Sequence, residues 1–454
     1  MAGDTDSTNN VTSKLIIVSP WVQREDIPKG WRRRKVKEGT AVYVPTADRV
    51  YVMKGSNTNE LWTYDIATGT WDTLAPMPLS PSGRRARDGC DLTYQPGLDT
   101  TEMGRLWALK GGGRPDFYHY DIATNTWTVA PSAIVTDSIG GREYRPPKKG
   151  ASIAYAQGAV YCLPGNRTNY FWKYDIATAR WSYVADANNR PLDVPYNPLR
   201  FAKCKFGTDM VYGDNDTLYV LKGSNTLEAY GYDLNVKAWI DTLPTVSLLG
   251  LRNKTVKSGA SMTFFDHTVY ILKGGNTPEF WSYQVGADSW LQRADIPMSI
   301  TGRRRKVKRG SALTAAESTF YCLKGSYGYE FWEYKPASDP AGLAGYAGAP
   351  VRSGVMDERR VPQSGPWLNV YPNPARRAVN IAFALPASGD ASIRVYDAAG
   401  RLVAGLHERQ FLHGRGQIQW NRTDRQGRPV AAGVYFVEMA GEDVKLTRKV
   451  IIQD

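Results

Sequence analysis

Short apolar runs separated by turn residues recur along the first three quarters of the chain at nearly constant spacing. Residues 51–71 read YVMKGSNTNELWTYDIATGTW: an apolar segment closing on Lys-Gly, an alternating aromatic segment, an Ile-Ala-Thr-Gly turn and a tryptophan segment. Near-copies occupy 106–127, 160–181, 218–239, 269–290 and 320–339, the last without its closing tryptophan. Alternation with period two over four to six residues predicts half-buried strands. Glycine after the first strand permits the backbone angles of a tight connection. A further segment of small and apolar residues precedes each unit, as in GTAVYV from Gly39 and GASIAYA from Gly150. The pattern predicts four strands per repeat and no long helix.

The tryptophans at 21, 71, 127, 181, 239 and 290 lie 50 to 58 residues apart, and a four-stranded unit of about 50 residues is the kelch period. Tyr64-Asp65 with Trp71, Tyr120-Asp121 with Trp127, Tyr174-Asp175 with Trp181 and Tyr232-Asp233 with Trp239 carry the resemblance to the kelch-repeat β-propeller. The chain departs from that family where the first glycine of the di-glycine is replaced, by Lys54, Lys222, Lys273, Lys324 and Pro164, while Lys110 precedes an intact pair. Residues 20–39 closely match 289–310, so Trp21 stands in for the missing sixth tryptophan. The N-terminal strand is therefore expected to be the outer strand of the last blade, which leaves no exposed closing edge. The expected fold is all-β: a six-bladed kelch-like β-propeller over residues 15–334, after a disordered N-terminus over 1–14.

Residues 335–366 shift to Pro, Gly, Ala and Ser without periodicity and read as a flexible linker. From 367 to 454 about seven short strands return, which predicts a small Ig-like β-sandwich. Val370-Tyr371-Pro372-Asn373-Pro374, the run from Tyr396 to Arg401, Gly433-Val434-Tyr435-Phe436 and the terminal Lys449-Val450-Ile451-Ile452 make this segment similar to the C-terminal sorting domain of type IX secretion substrates. That resemblance implies contact with the secretion machinery, export across the outer membrane, and release or attachment at the cell surface.

Composition narrows the chemistry. Fourteen Trp and 27 Tyr among 454 residues suit pleated sheets. The four cysteines, Cys90, Cys162, Cys204 and Cys322, lack C-x-x-C spacing and read as small buried side chains rather than a disulfide framework. The N-terminus has neither a basic n-region nor an apolar core, so it is not itself a signal peptide; the chain is either cytoplasmic or shown without a leader. No window approaches the 18 or so apolar residues of a membrane span.

The formal charge is +13, and the cations are patterned. A basic run precedes the innermost strand of each repeat, from RRRKVK at 32–37 to RRRKVKR at 303–309. In a propeller these connections emerge on the same face as the Lys-Gly loops. Lys54, Lys110, Lys222, Lys273 and Lys324, with Arg33, Arg85, Arg304 and Arg305, are therefore the expected ligand-binding residues of a basic face around the channel mouth. The competing reading is architectural: Glu60, Asp116, Glu228, Glu279 and Glu330 follow the lysines and suit ion pairs repeated between neighbouring blades. The aromatics Trp62, Tyr118, Trp172, Trp281 and Trp332 sit at a fixed strand position and read as packing between blades, not as stacking platforms for nucleic acid.

Four histidines, isolated in sequence, suggest neither a metal centre nor a catalytic triad, and no cofactor, metal or catalytic residue is expected. The expectation is a secreted or cell-surface, non-enzymatic binding module for an acidic glycan or a protein, without nucleic acid or membrane span. The alternatives are a carbohydrate-active enzyme using carboxylates on the same face and a structural adhesion component.

Overall fold

A computed structural model of the chain describes residues 19–98, 102–135, 143–186, 188–196, 201–214, 216–240, 243, 254–287, 289–299, 305–339, 367–371, 375, 379–384, 389–411, 415–441 and 444–453. The N-terminal segment 1–14, most of the expected linker, Arg304 and Pro372-Asn373-Pro374 lie outside them. The chain divides into two compact units.

The first unit holds six four-stranded antiparallel sheets. Blade 1 is Thr40–Val44, Arg49–Met53, Leu61–Asp65 and Thr70–Thr73. Blades 2 to 5 repeat this order from the inner strands Asp91–Gln95, Ser152–Ala156, Asp209–Tyr212 and Ser261–Phe265. Blade 6 takes three strands from Ala312–Ala316, Thr319–Leu323 and Phe331–Tyr334, and its fourth from the N-terminus. That fourth strand, Trp21–Arg24, pairs with Trp21 opposite Tyr334 and Arg24 opposite Phe331, so the expected clasp is present. Each inner strand packs on the inner strands of both neighbouring blades, and the ring closes from blade 6 to blade 1.

Why the tryptophan recurs is plain from its hydrogen bond. Trp71, Trp127 and Trp181 each donate an indole N–H to the carbonyl that follows the preceding blade's outer strand: Glu25 at 3.0 Å, Ala75 at 2.7 Å and Pro131 at 2.9 Å. Trp21 does the same in blade 6, to Ala294 at 2.8 Å, while the buried Trp239 indole nitrogen of blade 4 has no partner among the described residues. The ring faces pack on aromatics of the neighbouring sheet, for example Trp71 on Phe331 and Trp181 on Phe117. Residues 335–339, read from composition as the start of a linker, belong to this packing. A 3-10 turn at Pro336–Ser338 places buried Asp339 to accept hydrogen bonds from the Tyr334 hydroxyl and the Ala294 N–H, at 2.5 and 2.9 Å.

The second unit has seven strands in a three-stranded and a four-stranded sheet that share one buried cluster, including Leu368, Ile381, Val395, Trp420 and Val437. The C-terminal strand Val444–Ile452 is a full partner of Gly433–Gly441, with Val450 and Ile452 buried, and it also bridges to Ala375. Asp397 and Asp424 close matching turns in which the carboxylate accepts two backbone N–H bonds and an arginine four residues on. All four cysteines are buried and free. Among the described residues no helix is long and apolar enough to cross a membrane.

Candidate binding face

The second strand of each blade ends on the Lys-Gly loop, and the structure corrects the role expected of its lysine. Lys54, Lys110, Lys222, Lys273 and Lys324 are fully buried. Each pairs with the acid six residues on, in the same blade rather than the neighbouring one: Lys54 with Glu60 at 2.8 Å, Lys110 with Asp116 at 2.8 Å, Lys222 with Glu228 at 3.5 Å, Lys273 with Glu279 at 2.7 Å and Lys324 with Glu330 at 3.1 Å. The aromatic two residues beyond the acid lies under the ammonium group, as Trp62 does at 5.3 Å and Tyr118 at 4.8 Å, and donates to the same carboxylate. Burial pulls Lys54, Lys110, Lys222 and Lys324 below the ordinary lysine range, opposed by the paired carboxylate.

The remaining lysine protons hold the crossing loop that leads into the same blade. Lys54 Nζ donates to the carbonyls of Pro28 and Lys29 at 2.8 and 3.0 Å, Lys110 to Leu79 at 2.9 Å, Lys222 to Pro195 and Lys324 to Pro297 at 2.5 Å. The far end of five of the crossing loops is stitched to the preceding blade by a bridge: Val36 to Gly328, Ala86 to Thr58, Cys204 to Thr168, Val256 to Thr226 and Val307 to Thr277. These lysines are tethers between blades, out of reach of any ligand on the surface.

Blade 3 lacks both charges at once. Pro164 replaces the lysine and Tyr170 the acid. The Tyr144 ring stacks on Trp172 at 6.2 Å, and the Trp172 indole nitrogen, deprived of its carboxylate, is buried without a partner.

The same bridges that bury Val36, Ala86, Cys204, Val256 and Val307 turn their sequence neighbours outward, because side chains alternate along an extended segment. Two residues before each interblade glycine stands a cation: Lys37, Arg87, Lys148, Lys205, Lys257 and Lys308. All six are exposed or half-buried. The glycine that follows in five of the blades, at 89, 150, 207, 259 and 310, takes a positive φ against the backbone of the next blade's cationic position, leaving no room for a Cβ. Among the described residues none of the six cations has a carboxylate at ion-pair distance; Lys37 lies over the Tyr327 ring and Lys205 over Phe206. Between this ring and the channel, Arg309 pairs with Glu38 at 2.9 Å and with Asp88, and Lys149 approaches Asp88 at 4.0 Å.

Of the arginines expected at the site, Arg33 is exposed in a left-handed turn at φ 49°. Arg85 lies half-buried over the exposed Trp31 ring at 5.6 Å, and Arg305 donates to the Tyr327 carbonyl at 2.6 Å. Arg304 is outside the described residues. The cationic ring was present in the sequence as Lys/Arg, apolar, Lys/Arg, any residue, glycine, with proline at the first place in blade 3 and threonine in blade 5. The alternation, rather than the density of charge, marks which cations face outward.

The channel, about 430 Å³, is lined by the inner strands of all six blades. Asp91, Ser152 and Asp209 occupy one level of it, on successive blades. Their oxygens accept N–H bonds from the next blade, Ile153 to Asp91 at 2.8 Å, Met210 to Ser152 at 3.2 Å and Met262 to Asp209 at 2.7 Å, and Ser261 accepts from Leu313 at 3.0 Å. The Ser152 hydroxyl lies between the two carboxylates, 3.1 Å from Asp91 and 2.9 Å from Asp209. Burial raises both carboxyls, and with the Asp91 charge nearby it pushes Asp209 to about 7. These bonds link blades 2 to 6 in series. Among the described residues no group of three His, Cys, Asp or Glu side chains could hold a metal ion.

Residues 369–453 match the family described as the secretion system C-terminal sorting domain. A kelch-like protein, terF, of Aspergillus terreus is 23% identical over 290 residues, covering 58% of this chain and 57% of that protein, so the chain spans less than two thirds of this relative. Among solved structures, a protein of unknown function from Bacteroides thetaiotaomicron is 13% identical with a TM-score of 0.44, over 66% of this chain and 70% of its own. YjhT is 12% identical with a TM-score of 0.44, over 68% and 95%. PorZ, a surface component of the type IX secretion system of Porphyromonas gingivalis, is 13% identical with a TM-score of 0.34, over 90% and 50%.

Proposed function

We propose that the chain, a kelch-like β-propeller carrying a type IX C-terminal sorting domain, is a non-enzymatic binding module whose cationic face receives an acidic glycan. The sorting domain directs it to the cell surface or the extracellular space. The observation that carries the reading is the ring of Lys37, Arg87, Lys148, Lys205, Lys257 and Lys308, outward-facing and without paired acids among the described residues, above a layer in which every buried lysine described is neutralised. Like charges held together on one face raise the local concentration of a polyanion and favour its binding.

A glycan fits better than a protein. Of the exposed apolar side chains on the crossing loops, Trp31, Leu79 and Met298 come from three different loops, while Tyr196 and Phe201 share one and touch. A protein interface centres on a contiguous, desolvated patch, whereas single exposed rings beside cations suit sugar rings that carry acidic substituents. Burial of Glu60, Asp116, Glu228, Glu279 and Glu330 in ion pairs weighs against the carbohydrate-active alternative.

The test is retention on an anionic-glycan array, with neutral glycans and acidic peptides as parallel arms. Retention by anionic glycans that is lost in Arg87→Gln/Lys257→Gln/Lys308→Gln is the expected result. Binding only to acidic peptides, or retention indifferent to the triple substitution, would overturn it.

A further inference from the structure

The cationic ring is not uniform, and its irregularity falls at blade 3. In the blades with Lys-Gly-Ser/Gly-Asn-Thr loops, the residue before the threonine is Asn57, Asn225 or Asn276, at φ 62°, 69° and 63°. Asparagine tolerates this left-handed conformation better than most residues. Blade 3 has Arg167 there, at φ 64°, and blade 6 has Tyr327, at φ 60°. The blade that has given up its buried lysine thus places a cation on the outside of the same loop, in a conformation that arginine disfavours. A side chain kept at a place the backbone prefers to give to asparagine points to a use for that side chain.

That use is visible in what surrounds it. Arg167 lines a cleft of about 300 Å³ with Arg145, Lys148, Lys149, Asn166 and Lys205, drawn from the crossing loop into blade 3, the blade 3 hairpin and the crossing loop into blade 4. No carboxylate is among the lining residues. Arg145 is paired on its outer side with exposed Glu143 at 2.8 Å, and Lys149 has Asp88 at 4.0 Å. Lys148, Arg167 and Lys205 have no such neighbour among the described residues. Burial, with a smaller effect from the charges of Arg167 and Lys149, lowers Lys205 below the ordinary lysine range. The comparable cleft at blades 6, 1 and 2 contains Arg33, Arg34, Lys35, Lys37 and Arg87 but also Glu38.

The geometry points to the cleft of Arg145, Lys148, Lys149, Asn166, Arg167 and Lys205 as the site of one tetrahedral oxyanion, a sulfate or phosphate monoester borne by the acidic glycan. A monoester presents three terminal oxygens, which a guanidinium can grip in pairs while ammonium groups and an amide N–H₂ supply the rest. A carboxylate offers two oxygens in a plane and leaves part of the donor set unused. This assignment rests on the reading of the cationic face and adds the chemistry of its ligand.

Titration of the full chain with inorganic sulfate and, separately, inorganic phosphate tests the cleft without any glycan. Saturable binding of at least one anion is expected, and the one that competes with the retained glycan identifies the ester. Arg167→Asn, which installs the residue of blades 1, 4 and 5, should weaken that binding about tenfold, the loss of one charge-assisted contact. Lys237→Gln, at an exposed turn of blade 4 outside both the ring and the cleft, should leave it unchanged. No saturable anion binding, or equal weakening by the two substitutions, would overturn the site. Glycan retention that survives Arg167→Asn but not the triple ring substitution would sink the cleft and leave the binding face standing. Anion binding in the cleft with no glycan retained would do the reverse.

Discussion

Lys273 and Glu279 meet at 2.7 Å with neither side chain exposed, so each depends on the other for its charge to be tolerated inside the protein. Removing one partner strands the other. Glu279→Gln should therefore lower stability by about 3–5 kcal/mol in denaturant titration. Lys273→Met with Glu279→Gln should lose less than Glu279→Gln alone, because blade 3 shows that the position tolerates loss of both charges together. A double variant as unstable as the sum of the singles would contradict the coupling. Asp209 makes a second residue-scale prediction. Its folded value of about 7 stands above the unfolded value of about 3.9, so between them the native state holds a proton that the unfolded chain has released. Its contribution to stability is then fully present below the unfolded value and is lost as pH rises through the folded one. Thermal melts from about pH 4.5 to about pH 8 should show a smaller decline for Asp209→Asn than for the wild type; parallel curves would count against a raised Asp209 carboxyl.

At the scale of the element, the N-terminal strand is the piece whose removal opens the ring. Trp21 fills the slot between Phe280 and Tyr334 and bonds the Ala294 carbonyl. Trp21→Ala should cost about 3–5 kcal/mol, and amide exchange in Phe331–Tyr334 should rise to that of an exposed edge. Unchanged exchange there would show that the clasp is dispensable. The blades and this clasp were legible because alternation, glycine turns and tryptophan spacing are one-dimensional signals, and the match of 20–39 to 289–310 crosses the chain ends in plain view. The site was legible only in part. Lys54 and its counterparts looked like surface charge because a strand's last residue followed by glycine reads as loop. Only the three-dimensional course of the crossing loop, which brings the Pro28 and Pro297 carbonyls over the lysine, shows that it is buried. The outward cations Lys37, Arg87, Lys148, Lys205, Lys257 and Lys308 were inside the basic runs, but which members of a run face solvent follows from bridges such as Val36 to Gly328 that join distant segments. The blade 3 cleft draws on three segments and had no linear signal beyond Arg167 replacing an asparagine.

At the scale of the whole molecule, the two units carry separate tasks. The sorting domain ends in a strand whose Val450 and Ile452 are core residues, so truncation from 367 removes a complete fold rather than a tail. In the native cell, the chain lacking 367–454 should accumulate inside while remaining folded by circular dichroism. Its appearance at the surface in normal amount would contradict a sorting role. On the proposed reading the propeller's task is electrostatic, set by cations that face outward with no carboxylate at ion-pair distance among the described residues. Attraction of that kind is screened as the Debye length shrinks from about 10 Å at 0.1 M salt. The most direct measurement is the affinity of the purified chain for its retained anionic glycan as a function of salt, for the wild type and for Arg87→Gln/Lys257→Gln/Lys308→Gln. The account predicts affinity that falls steeply with salt in the wild type and a weaker, flatter dependence in the variant; binding that ignores both salt and substitution would contradict it.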